Sequence, residues 1–218
     1  MHTSSLKHMS RLVETHLAPA DTLEVIDIGS QDVNGSYRQI FRRPGWSYRG
    51  VDVAAGANVD IVMPDPYQLP LASQSVDVVI SGQALEHIEY FWITFLDMVR
   101  VLKRGGKMFL IAPSRGPEHR YPVDCWRFYP DGFRALARFG RVNLIEVSTD
   151  WEPDAAEDSA AWGDTVGVFK NDSFGWSRML GREITLRCLR AWARSGTRCA
   201  DYLHQSAPGS LTPRGGKA

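Results

Sequence analysis

Asp27, Asp52 and Asp65 each sit at or near the end of a short apolar run, and that placement suits recognition of a nucleoside. Asp27 lies within Val25–Ile28, and Gly29 follows directly. Between Gly29 and Gly35 come Ser30, Gln31, Asp32 and Asn34, small or polar residues that tolerate unusual backbone angles and leave amides free to face a ligand. Asp52 closes SYRGVDV 23 residues after Gly29, where a carboxylate can accept both hydroxyls of a ribose. A pyrophosphate fingerprint G-x-G-x-x-G is missing, because the third residue after Ile28 is Gln31. Asp65 stands between Pro64 and Pro66 in a stiff turn, and Ser81 and Gly82 end VDVVI as Gly29 ends the first run. Structural alternatives exist for each acid: Asp27 as a turn cap, Asp52 as an ordinary strand-end residue, Asp65 as the closure of an Asx-turn.

Two histidines are candidates for taking a proton, since imidazole titrates near neutrality. His119 is preferred, with Asp124 as its orienter, and His87 in LEHI reads as structural, with Glu86 capping or orienting it. No cluster has metal-ligand spacing, although His119 with Asp124 and Glu118 could meet a metal in space, and no metal is expected. Cys125 has no activating neighbour in sequence and reads as a small buried residue, not a nucleophile.

The elements that must position these groups follow from periodicity. Leu6, Met9, Leu12, Val13, His16 and Leu17 mark a leading amphipathic helix that stops at Pro19, with His16 packed and hydrogen-bonded on its apolar face. Strands are expected over 23–28, 47–53, 58–63, 75–80, 107–113, 142–148 and 165–170, and a helical turn or two over 37–41. Phe91, Trp92, Phe95, Leu96, Val99 and Leu102 stripe a helix, Arg104 to Gly106 turn the chain into the fifth strand, and Phe133–Phe139 forms another helix. Alternation of this kind predicts a doubly wound α/β sheet.

With 218 residues, 44% of them hydrophobic, one substantial core is expected, and 25 basic against 25 acidic residues give no global field for nucleic acid. Three cysteines without a CxxC pair, and no apolar run of membrane-spanning length, point to a cytoplasmic protein with free thiols.

VIDIGS, YRGVDV, DPYQLPLASQSVDVVISGQALEHI and VLKRGGKMFLIAPS, in that order, resemble the signature of class I S-adenosylmethionine-dependent methyltransferases of the type 11 group, over about Leu23 to Phe139. The resemblance implies a single Rossmann-like domain over 1–175 with a mostly parallel seven-stranded sheet, and S-adenosyl-L-methionine as cofactor. It implies that Asp27, Gly29 and Ser30 line the methionine part, that Asp52 holds the ribose, that Asp65 faces the adenine amine, and that Ser81 and Gly82 flank the sulfonium. Gly35, Val53 and Pro66 complete the implied cofactor set. Where the family has glycines at alternate positions, this chain has IGSQDVNGS.

Ser114–Pro130 is rich in aromatic residues and suits either a lid shaping the pocket of a small-molecule acceptor, such as a sugar or other hydroxylated metabolite, or a packed loop in which Arg120 or Arg127 pairs with Asp124. Asp150–Trp162 reads as an acidic surface insertion, 176–205 as a basic amphipathic helix, and 206–218 as a disordered tail. That helix suits docking on the domain, on a second subunit, on an acidic partner or on an anionic membrane, with docking on protein the simplest. The competing functions are a nicotinamide-dependent oxidoreductase, disfavoured by Gln31, and a non-catalytic module that binds cofactor or a partner.

Overall fold

Runs of valine and isoleucine that are apolar on both faces are satisfied in the middle of a sheet covered on both sides, and the computed structural model places them there. It describes residues 3–18, 22–152, 160–172 and 176–196. The strands are β1 (Leu23–Ile28), β2 (Trp46–Asp52), β3 (Ile61–Val62), β4 (Val76–Gly82), β5 (Leu102–Pro113), β6 (Asn143–Thr149) and β7 (Asp164–Lys170). They form one sheet in the order β3-β2-β1-β4-β5-β7-β6, in which the first five are parallel and β7 runs antiparallel to both its neighbours. The expected seven-stranded, mostly parallel sheet is therefore present.

Helices α2 (Phe91–Val101) and α3 (Pro130–Gly140) cover one face, where Phe95, Met98, Phe133 and Leu136 meet Ile26, Val79 and Leu110. Helix α1 (Thr3–His16) covers the other with Met9, Leu12 and Val13 against Val25, Ile80 and Phe109. Tyr37 and Phe41, both buried, fill the rest of that face. The helix hinted at over 37–41 is one turn only: the amides of Ile40 and Phe41 donate to the carbonyls of Tyr37 and Arg38 at 2.9 and 3.2 Å, and no regular helix follows. His16 behaves as expected, with Nε2 2.9 Å from Glu146 Oε2 and its ring tilted against Phe109.

Two boundaries differ from the periodicity. The third strand shrinks to Ile61–Val62 because Asn58, at φ 68°, leaves the extended conformation. The fifth begins at Leu102, since Arg104 to Gly106 lie inside the strand, where Gly105 at φ +79° and a register shift opposite Val76/Val78 make a bulge in place of a turn.

Helix α4 (Trp176–Gly196) lies on α2 and buries Leu186 and Ala193 against Tyr67, Ile93 and Leu96. Arg190 Nε donates to the Tyr67 carbonyl at 2.7 Å and its Nη2 stands 2.5 Å from Asp97 Oδ1, so the basic face of the helix docks on the domain itself. Pro19, residues 153–159 of the acidic insertion, Arg198, Cys199 and the tail 206–218 lie outside the described residues. Among the described residues no helix is long and apolar enough to cross a membrane.

Candidate cofactor and acceptor site

The parallel register brings the carboxyl ends of four strands to one edge: Asp27 lies opposite Gly50 and Ile80, Asp52 opposite Val62, and Gly82 opposite Ile111. At that edge Gly29 takes φ +76°, and a Cβ on it would stand 2.3 Å from Ala84 Cβ, so the chain leaving β1 presses against the segment leaving β4. The loop that follows is fastened to β2. The amides of Gly29 and Ser30 both donate to the Val51 carbonyl, at 2.9 and 3.2 Å, and Asn58 Nδ2 donates to the Ser30 carbonyl at 2.8 Å while Ser30 Oγ donates to the Asn58 carbonyl at 3.2 Å. Arg38 closes the network, donating from Nε to Asn58 Oδ1 and from Nη2 to Asp60 Oδ2, both at 2.5 Å, with its guanidinium over the Tyr48 ring. Asn58 and Arg38 were not singled out from the sequence; an asparagine ahead of a strand is too common a signal. A cleft of about 340 Å³ lined by Asp32, Ser36, Arg38, Gln39 and Asn58 flanks this loop, and the Gly35 amide donates to Asp32 Oδ1 at 2.7 Å inside it.

Asp52 accepts from the amides of Gln31 (3.0 Å, on Oδ2) and Val53 (2.7 Å, on Oδ1), tying the glycine loop to the end of β2. Each of its oxygens keeps a lone pair beyond those bonds. Ser81 is buried and donates to the Ile28 carbonyl at 2.8 Å, beneath the mouth. Gly82 is required by Tyr37, whose Oη would lie 1.8 Å from an added Cβ and is itself 2.5 Å from Ser5 Oγ. Asp65 has both oxygens engaged by other groups. Its Oδ1 accepts from the Tyr67 amide at 2.9 Å, the Asx-turn alternative, and its Oδ2 takes Arg194 Nε and Nη2 of α4 at 3.0 and 2.6 Å. The Pro66 carbonyl is occupied by Thr94 Oγ1 at 2.8 Å.

Three buried carboxyls line this edge. Burial pushes Asp27 up to about 7, with the neighbouring charge of Asp52 adding and the hydrogen bond from Tyr48 Oη, at 2.5 Å, opposing. Burial likewise pushes Glu86 up to about 8, and the charges of Asp124 and Asp164 add to it. Asp164 is raised by burial against hydrogen bonds from Ser4 and Gln83. All three act on the Tyr37 hydroxyl, which burial first of all holds far above its ordinary value. Such a cluster favours a cationic ligand, whose charge would restore to the carboxylates the partner that burial withholds.

The 3-10 turn Leu85–His87 after β4 and the loop 114–129 after β5 make the other half of the site. The loop is pinned to the turn: the Cys125 amide donates to the Glu86 carbonyl at 2.8 Å, and Trp126 Nε1 to the carbonyls of Ile88 and Glu89 at 3.2 and 3.1 Å. Asp124 receives Arg127 through both oxygens, at 2.6 and 2.9 Å, and the His119 amide at 2.8 Å, which hold it well below the usual carboxylate range. Of the two readings of this loop the Arg127 pair is real, yet Tyr121, Trp126 and Tyr129 remain exposed, and Trp126 with Gly116 and Asp124 lines part of a cavity of about 360 Å³. Cys125 is exposed, not buried as expected, because the loop is held here by its backbone amide and the neighbouring Trp126; its thiol is raised, mainly by desolvation.

His87 and His119 come together with ring centroids 4.8 Å apart. His87 Nδ1 lies 2.6 Å from the Val123 carbonyl, which can only accept, so Nδ1 carries the hydrogen and Nε2 presents a lone pair. Burial lowers the affinity of that ring for a second proton. His119 Nδ1 is 3.3 Å from Asp124 Oδ2, and its ring packs on Trp162 with centroids 4.4 Å apart. Glu86 is the residue whose importance the sequence hid: it is 0% exposed, and neither carboxylate oxygen has a hydrogen-bond partner.

Strand order, the reversed seventh strand and ligand-facing loops at the carboxyl edge define the class I methyltransferase fold. Residues 26–110 match the family described as Methyltransferase domain. The chain is 30% identical over 151 residues to the demethylmenaquinone methyltransferase of Thermobifida fusca, covering 66% of this chain and 56% of that protein. It is 28% identical over 176 residues to an uncharacterized methyltransferase of Mycobacterium leprae, covering 72% and 63%. The chain thus spans less than two thirds of the length of these relatives. Among solved structures, the 1,6-didemethyltoxoflavin-N1-methyltransferase of Burkholderia thailandensis, bound to 1,6-didemethyltoxoflavin and S-adenosylhomocysteine, superposes with a TM-score of 0.61 at 14% identity, over 78% of this chain and 79% of that one.

Proposed function

We propose that this chain transfers a methyl group from S-adenosylmethionine to a hydroxyl of a small molecule such as a sugar or other hydroxylated metabolite. The observation that carries the reading is the edge where Gly29, Asp52 and Gly82 end adjacent parallel strands beside the buried carboxyls of Asp27, Glu86 and Asp164, an environment fitted to a cationic nucleoside. The small molecules named for the Thermobifida relative and the Burkholderia structure support a small-molecule acceptor; the hydroxyl rests on the histidines described below, since the Burkholderia enzyme is named for methylation at a nitrogen.

In this reading Gly29, Ser30 and Gly35 hold the amino-acid end of the cofactor, with Asp27 beneath them. Asp52, flanked by Val53, offers its remaining lone pairs to the ribose hydroxyls, and Asp65 with Pro66 borders the adenine, its carboxylate fixed there by Arg194. Ser81 and Gly82 floor the sulfonium side. Bound, the cofactor supplies a methyl already activated by the sulfonium, and its transfer leaves the thioether and frees the acceptor's proton. The chain's own tasks are alignment, exclusion of water by the aromatic loop, and management of that proton at the His87 and His119 rings, with Asp124 orienting His119.

The test is calorimetry followed by transfer of an isotopically labelled methyl group into extract. S-adenosylmethionine binds one per chain, and Asp52→Ala weakens it about 100-fold by removing the acceptor of two hydroxyls. Unchanged affinity in that variant removes Asp52 from the site, and binding of NAD in place of S-adenosylmethionine transfers the assignment to an oxidoreductase.

A further inference from the structure

A fully buried glutamate with both oxygens lacking a hydrogen bond is rare in a folded protein, because each such oxygen forfeits its solvation without recompense. Glu86 is in that position, and it does not stand alone. One ligand atom from each of Glu86, His87 and His119 lies within 4.8 Å of the other two. Glu86 Oε1 and His87 Nε2 are already 3.7 Å apart, against about 3.3 Å between ligands in a tetrahedral shell with bonds of about 2.0 to 2.1 Å. Closing the set asks the widest pair of ligand atoms, within 4.8 Å, to approach by up to about 1.5 Å.

The surroundings match what a ligating imidazole needs. The Val123 carbonyl takes the hydrogen of His87 Nδ1 and leaves Nε2 as the free donor facing Glu86. Asp124, locked by both terminal nitrogens of Arg127, stands beside the His119 ring at 3.3 Å, the position of the carboxylate that commonly orients such a ligand. The Cys125 amide on the Glu86 carbonyl holds the loop that carries His119 against the turn that carries the other two residues. Two imidazoles with one carboxylate suit zinc and its divalent transition-metal neighbours, whereas magnesium and calcium call for oxygen donors throughout.

We propose that Glu86, His87 and His119 bind one divalent transition-metal ion of the zinc class, with the remaining coordination position open toward the loop 114–129. The inference rests on the reading of the acceptor side given above and deepens it: in place of taking the acceptor's proton themselves, the two histidines hold an ion that makes a bound hydroxyl more acidic, and the proton passes to solvent water as the oxygen–methyl bond forms and the sulfonium–methyl bond breaks.

The experiment uses the untagged full chain stripped with a chelator and titrated separately with Zn²⁺ and Co²⁺. One Zn²⁺ binds per chain with a Kd at or below about 1 μM, and Co²⁺ gives the visible absorption of a four- or five-coordinate site. Glu86→Gln and His119→Ala each weaken Zn²⁺ about 100-fold or more, while the melting temperatures of the stripped variants show that both remain folded. Absence of Zn²⁺ binding to the parent chain overturns the proposal, as does binding that neither substitution weakens. S-adenosylmethionine binding is measured on the same samples. An ion bound without the cofactor upholds the metal site and removes the methyltransferase reading, and the converse removes the ion alone.

Discussion

Asp27→Asn is the substitution that most directly tests how the buried edge of the sheet is held. Asp27 is 1% exposed and receives a single side-chain hydrogen bond, from Tyr48. Burial raises its carboxyl from an ordinary 3.8 to about 7, against the pull of Tyr48 and Arg38. Below the lower value the carboxyl is protonated in both folded and unfolded chains, and its ionisation has no effect on stability. Between the two values the unfolded chain releases the proton and the folded chain retains it, so stability falls by about 1.4 kcal/mol per pH unit. Above about 7 both are ionised and the loss is complete, at about 4 kcal/mol across the window set by the raised value.

Asparagine keeps an oxygen to accept from Tyr48 and cannot ionise. It brings one more N–H than a protonated carboxyl has O–H, a cost of about 1 kcal/mol if that hydrogen stays unpaired. The variant is therefore slightly less stable than the parent near pH 4, equal to it near pH 4.5, and more stable by about 3 kcal/mol above pH 7. Urea unfolding from pH 4 to 8.5, with equal slopes on denaturant in parent and variant, reads the difference directly. Glu86, raised by burial to about 8, tilts both curves alike and cancels from the subtraction. A difference that does not change with pH would mean that Asp27 is already ionised in the folded chain, and that Tyr48 and Arg38 outweigh burial.

Gly82→Ala sets a methyl where Tyr37 Oη now lies, at 1.8 Å, and lowers stability by about 2 kcal/mol in thermal denaturation. Adding Tyr37→Phe to that variant restores part of the loss, and a double variant no better than the single one places the strain elsewhere. Arg190→Met keeps the stem but strips Asp97 and the Tyr67 carbonyl of a buried charged donor. It costs about 2 kcal/mol, because Arg100 and the Leu69 amide still serve Asp97. The same change speeds proteolytic cleavage at α4, and an unchanged cleavage rate would show that the helix is held by its apolar face alone.

The alignment of the strand ends proposed to hold the cofactor was legible because those residues are punctuation on strands. Gly29, Asp52 and Gly82 each end an apolar run, parallel pairing aligns the ends of such runs, and the register at Asp27, Gly50 and Ile80 follows from that. Asp65 was half legible: flanking prolines announce the turn that its Oδ1 closes, but its other oxygen is claimed by Arg194, 129 residues further on. Residues 37–41 give the shorter of the two lengths expected, a single turn, with Tyr37 and Phe41 as buried anchors of a segment that is otherwise irregular. The acceptor half is built differently. LEHI carries its own helical turn, but nothing within it reveals that a loop 32 residues downstream will fold back and bring His119 to His87. That closure is made by the Cys125 amide on the Glu86 carbonyl and by Trp126 on the carbonyls of Ile88 and Glu89, and backbone acceptors leave no trace in residue identity. The same bonds shut Glu86 away from water, so a glutamate that reads as a cap becomes an unpaired acid beside two imidazoles only when the loop is in place.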